Sequence, residues 1–105
     1  MNNLSAIADP TRAKILTIIS RHGTIAAGEI CGHFKISNAA ISQHLKVLKE
    51  ANLVNVEVDA RRRLYSINRE GIYFISNWVD DIKLQMENSI NRLEDFLAQG
   101  KDLDS

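Results

Sequence analysis

SNAAISQHLKVLKEANLV, residues 37–54, is the stretch whose reading decides the fold. Ile41, Leu45 and Leu48 recur at i, i+4 and i+7, the spacing of one buried helix face. Ser37 stands where an N-cap hydroxyl is wanted. The periodicity breaks after Asn52, so the spacing predicts a helix from Asn38 to about Glu50. Its opposite face carries Ala39, Ser42, Gln43, Lys46 and Glu50. The first four are a small residue, a hydroxyl, an amide and a cation. Gln can pair bidentately with adenine, Ser with several bases, and Ala can touch a thymine methyl. Lys46 can reach phosphate. Small residues near the helix start would let it enter a groove about 12 Å wide, and its N-terminus adds a partial positive charge. A solvated polar face is the competing reading of this helix taken alone.

The segments on either side decide between the two. Asp9-Pro10 reads as a helix start, with Asp9 capping and Pro10 at the first helical position. Ile15, Leu16, Ile18 and Ile19 form its apolar face, and Gly23 ends it. A second helix is expected over roughly Ala26 to Phe34, with Ile30 and Phe34 inward. Only Lys35-Ile36 separates it from the capped helix, which makes the pair a helix-turn-helix candidate. Beyond Asn52 the period changes to about 2. Leu53, Val54, Val56 and Val58 lead through Asp59-Ala60 and Arg61-Arg62-Arg63 to Leu64, Tyr65 and Ile67, a β-hairpin with an arginine tip. Three adjacent cations repel one another unless a polyanion binds, and such a wing suits the backbone or the minor groove. Helix face and wing together favour DNA.

Size and composition agree. The chain has 105 residues, 45% hydrophobic and 25% charged, with one proline and one cysteine. That fits one folded domain over 1–105, with a basic body (1–70), a long helix (70–99) and a flexible tail (100–105). No apolar run approaches a membrane span, and the N-terminus shows no secretory pattern. Cys31 cannot form an internal disulfide, so a reducing cytoplasm is expected. The net charge of zero is uneven. Residues 1–70 hold ten Lys/Arg against six Asp/Glu, and residues 71–105 hold three against seven. A basic body with an acidic end suits a polyanion partner.

The last segment, about Glu70 to Leu97, carries Ile72, Ile75, Trp78, Val79, Ile82, Met86, Ile90, Leu93, Phe96 and Leu97 on one helical stripe. At 1.5 Å per residue this helix is roughly 42 Å long. That exceeds what a body of this size covers, so a homodimer through this helix is expected.

Three stretches, IADPTRAKIL (7–16), GEICGHFKISNAAISQHLKVLKEANLV (28–54) and RRRLYSI (61–67), carry a resemblance. In this order they resemble the ArsR/SmtB family of winged-helix repressors of bacteria and archaea. The resemblance implies a mainly α winged helix-turn-helix fold with a small β-hairpin and a long C-terminal dimerisation helix. It implies a nucleoid-associated dimer joined through its first and last helices, which places Leu4, Ile75, Trp78, Val79, Ile82, Met86, Ile90, Leu93 and Leu97 in the interface. Family recognition positions map onto Ser37, Asn38, Ala39, Ser42, Gln43 and Lys46. His44 is discussed with them, although its angle sets it beside the core, between packing and phosphate contact. The operator would be an imperfect inverted repeat, and the protein a repressor or autorepressor. Arg12 and Tyr65 are read as structural.

Many relatives sense metals. The Cys-x-Cys of the arsenic and cadmium/lead sensors falls here on Ala26 and Gly28, and Cys31 stands without the two or three soft thiolates such a site needs. The zinc and nickel sensors use Asp and His on the last helix. Here Asp80 and Asp81 diverge, and no histidine follows His44. His22, His33 and His44 lie in different segments. No metal or other cofactor is therefore expected, and Cys31 reads as a small hydrophobe. The chain looks most like members without a metal site, some of which answer to a partner protein; Trp78 and the extended last helix fit that branch. Two alternatives stay open: a winged-helix protein-interaction module, and a metal- or redox-responsive repressor using Cys31. An enzyme is excluded by the lack of a Ser/His/Asp set, a phosphate loop or a metal constellation.

Overall fold

The computed structural model describes residues 3–104, with side chains over 4–99. Eight elements follow in order: α1 (Asn3–Ile7), α2 (Pro10–His22), β1 (Thr24–Ala26), α3 (Ala27–Cys31), α4 (Asn38–Glu50), β2 (Val54–Asp59), β3 (Arg62–Ile67) and α5 (Arg69–Asp104). They form two compact units, one ending at Ile75 and one beginning at Ser76.

Local signals set the first unit's helix ends. Asp9 is extended, and its carboxylate accepts the Arg12 backbone N–H at 2.9 Å, with Pro10 at the first helical position. Gly23 ends α2 at φ 78°, and its N–H donates to the Ile19 carbonyl. Ser37 caps α4, its hydroxyl accepting the Ala40 N–H at 3.1 Å. At the other end Asn52 turns left-handed at φ 60°. The Asn52 N–H donates to Lys49 and the Leu53 N–H to Leu48, both at 3.0 Å. These two bonds are a Schellman stop, with Leu48 and Leu53 both fully buried beneath it.

One hydrophobic cluster joins Ile15 and Ile19 of α2, Ile30 of α3, Ile41, Leu45 and Leu48 of α4, and Leu53. Each such burial is worth about 1.5–3 kcal/mol. The sheet is antiparallel, in the order β1-β3-β2. Asp59 pairs with Arg62, which leaves Ala60 and Arg61 as a two-residue turn, with Ala60 at φ 57°.

Several boundaries differ from expectation. The stretch expected as one helix from Ala26 to Phe34 divides into β1 and the five-residue α3. Ala26 pairs with Leu64 across the sheet, so the hairpin gains a third strand. Phe34 lies past α3, half-buried against the core with the Lys14 ammonium 5.0 Å from its ring centre. The single-turn α1 was not anticipated. Of the three arginines only Arg61 occupies the turn; Arg62 and Arg63 begin β3. The last helix starts one residue earlier and runs to Asp104, so helical backbone occupies 100–104, where a tail was expected. Ser105 lies outside the described residues.

The start of α5 is fastened to the body. The Asn68 side chain accepts the Gly71 N–H at 3.2 Å, and its backbone N–H donates to Leu53. Gly71 is buried, and a Cβ there would lie 1.9 Å from the Asn52 carbonyl oxygen. Ile72 and Ile75 pack against the body's core.

The second unit is helix alone. At 1.5 Å per residue the 36-residue α5 is about 54 Å long. From Trp78 to Leu97 its large apolar side chains are exposed, Trp78 at 45%, Met86 at 57% and Phe96 at 69%.

Candidate nucleic-acid interface

α4 buries Ile41, Leu45 and Leu48 and turns Asn38, Ala39, Ser42, Gln43 and Lys46 to solvent. Ser37 is also exposed, but its hydroxyl is engaged as the helix cap. A cleft of about 600 Å³ runs between α4 and the sheet, lined by Ser42, Gln43, Lys46, Lys49, Arg63 and the buried Tyr65, among others. The fold thus brings the polar helix face and a wing arginine together. A second hollow of about 530 Å³ joins Arg61, Arg62 and Arg63 to Ala26–Glu29 at the start of α3. Among the described residues no carboxylate lies within 4.0 Å of these arginines as an ion-pair partner. Their cations are left to solvent or to a polyanion.

Lys49, which the sequence reading does not single out, also lines this cleft. It sits three positions after Lys46, close enough in helical phase to share its edge, and that spacing could have found it.

His44 is 23% exposed, and its Nδ1 lies 3.4 Å from the Arg12 guanidinium and 4.0 Å from the Asp9 carboxylate. Arg12 also donates to the Ala6 and Ser5 carbonyls at the end of α1. Arg12 thus ties α2 to α1 and α4, and Tyr65 is 6% exposed in the core. The bond from the Arg12 N–H holds the Asp9 carboxyl below the usual carboxylate range, with partial burial opposing.

The residues expected at a dimer interface divide. Ile75 is half-buried against its own core, so the open stripe begins at Trp78. Leu4 on α1 is half-buried. Val79, Ile82, Ile90, Leu93 and Leu97 are exposed along with Trp78 and Met86.

Cys31 is free and half-buried at the core's edge. Among the described residues no three His, Cys, Asp or Glu side chains gather as a metal site. The histidines are less scattered than their sequence positions imply. The rings of His22 and His33 meet edge-on at 5.8 Å, because the end of α2 packs near the turn after α3.

A helix-turn-helix flanked by a β-wing, with a polar helix face and cations at one cleft, defines the winged helix-turn-helix DNA-binding regulators. The family described as "Bacterial regulatory protein, arsR family" matches residues 9–56. The chain is 40% identical over 80 residues to the transcriptional repressor SdpR of Bacillus subtilis, covering 75% of this chain and 88% of that protein. It is 30% identical over 79 residues to an arsenical resistance operon repressor of Staphylococcus xylosus, covering 75% of each. Among solved structures, a possible transcriptional regulator for arsenical resistance superposes with a TM-score of 0.73 at 33% identity, over 78% of this chain and 84% of that one. The protein belongs to the ArsR family of DNA-binding transcriptional regulators, which are not enzymes.

Proposed function

We propose that the protein is a homodimeric repressor that binds a double-stranded operator, an imperfect inverted repeat, and represses its own operon from the reducing cytoplasm. α4 lies in the major groove, where Gln43 and Ser42 read base edges while Lys46 and Lys49 hold phosphates. The wing rests on the flanking backbone or minor groove through Arg61, Arg62 and Arg63. Two copies joined along α5 present two such helices to half-sites about one helical turn (~34 Å) apart. The observation that carries this reading is the shared cleft of Ser42, Gln43, Lys46 and Arg63. The relatives named as repressors support the sign of regulation. A dimer seated on promoter DNA represses by occupying it.

The test is fluorescence anisotropy on DNA upstream of the protein's own gene, against a scrambled duplex, at two salt concentrations. The expected result is strong preference for the upstream duplex with steep weakening as salt rises. Equal, weak binding to both duplexes would overturn autorepression.

A further inference from the structure

Arg12 joins three elements through donors alone. From α2 its Nε donates to the Ala6 carbonyl and one terminal nitrogen to the Ser5 carbonyl, both on α1. The other terminal nitrogen lies 3.4 Å from Nδ1 of His44 on α4. A guanidinium has no acceptor, so in this contact the histidine nitrogen must accept. A neutral imidazole with an accepting Nδ1 carries its proton on Nε2. Asp9 faces the same Nδ1 and would favour a proton there, but at 4.0 Å it is beyond hydrogen-bond reach. Its carboxylate is already held by the Arg12 backbone N–H at 2.9 Å. Among the described residues, Arg12 and Asp9 are the charged groups that face this ring.

We propose that Arg12 is a positioning residue for DNA binding: it fixes His44 in the Nε2–H form, so that α4 offers phosphate a donor where the other tautomer would offer an acceptor. Phosphate oxygens only accept, so the choice of tautomer decides whether His44 attracts or repels the backbone. The inference rests on the DNA-binding reading above.

The experiment begins with long-range proton–nitrogen NMR of the free, full-length protein labelled at histidine nitrogen, at mildly alkaline pH. The His44 ring is expected to carry its proton on Nε2. In Arg12→Met, which removes the guanidinium donors and keeps the backbone N–H that caps with Asp9, the proton is expected to redistribute towards Nδ1 and Asp9. Affinity for the upstream duplex should fall about threefold to tenfold in Arg12→Met, the loss of one hydrogen bond. It should change little when the same substitution is made in a His44→Phe background. A proton on Nδ1 in the parent overturns the proposal, and this arm stands even if Arg12→Met fails to fold. Equal losses in both backgrounds also overturn it, because Arg12 then acts only as a structural tie. If the parent binds no duplex, the positioning role falls with the DNA reading, and the tautomer measured without DNA separates the two failures.

Discussion

A methyl group at position 71 would lie 1.9 Å from the Asn52 carbonyl oxygen, inside any tolerable contact. The obstacle is main chain, which no rotamer can relieve. Gly71→Ala should therefore destabilise the body by about 1–3 kcal/mol, the usual penalty of overpacking. Urea unfolding would show it, and an unchanged midpoint would mean that α5 begins elsewhere. Asp9 tests the electrostatics. Its folded-state pKa is depressed by the Arg12 N–H, so its contribution to stability is complete above about pH 4 and is lost as pH falls through the folded value. Asp9→Asn should flatten the acid limb of a melting-temperature profile while lowering stability at neutral pH. Asp9 and Ser37 were legible as caps because capping is local chemistry. The bond between Arg12 and His44 was not, because positions far apart in sequence meet only once α2 crosses α4.

At the scale of elements, the proposed binding mode assigns specificity to α4 and affinity to the wing. Gln43→Ala should cost about 1–3 kcal/mol on the cognate duplex and little on a scrambled one. Arg62→Ala should weaken both alike and lower the slope of log affinity against log salt by about 1. Anisotropy titrations over a salt series measure both, and identical behaviour of the two variants would dissolve the division of labour. Long periodic elements were readable: α4 by its i, i+4, i+7 face, the hairpin by its switch to period 2, and α5 by its stripe. The short ones were not. α1 is a single turn, and β1 is three residues whose extended form comes from pairing with β3. Propensity over three to five residues is too weak to compete with such tertiary contacts. The same holds for α3, whose run of small residues gives no sharp start, so the expected helix swallowed β1.

At the scale of the whole molecule, the question is what covers the apolar stripe of α5. The homodimer proposal expects a dimer by sedimentation at micromolar concentration. Ile82→Glu puts a charge at the middle of the stripe. It should raise the dimer dissociation constant roughly 100-fold or more, since an unpaired buried charge costs about 3 kcal/mol. Operator affinity should drop with it, because one copy engages only one half-site. A parent that stays monomeric would remove the stripe from the mechanism. Charge follows the same division: the ten Lys/Arg of residues 1–70 outnumber their six Asp/Glu, whereas the C-terminal segment is acidic. That asymmetry and the stripe were legible in sequence; which copy or partner meets the stripe is decided by a surface that a single chain does not contain.

The central place of β3 bears on how the molecule assembles. β3 closes with β2 across a two-residue turn, a fast local event, and with β1 across the length of the helix-turn-helix, a slow distant one. The hairpin can therefore form early, and docking of Thr24–Ala26 onto β3 is the step that ties it to α2 and α3. Amide exchange should report this as shared protection: the β3 amides facing β1 open together with α4 in one cooperative step, ahead of no other part of the core.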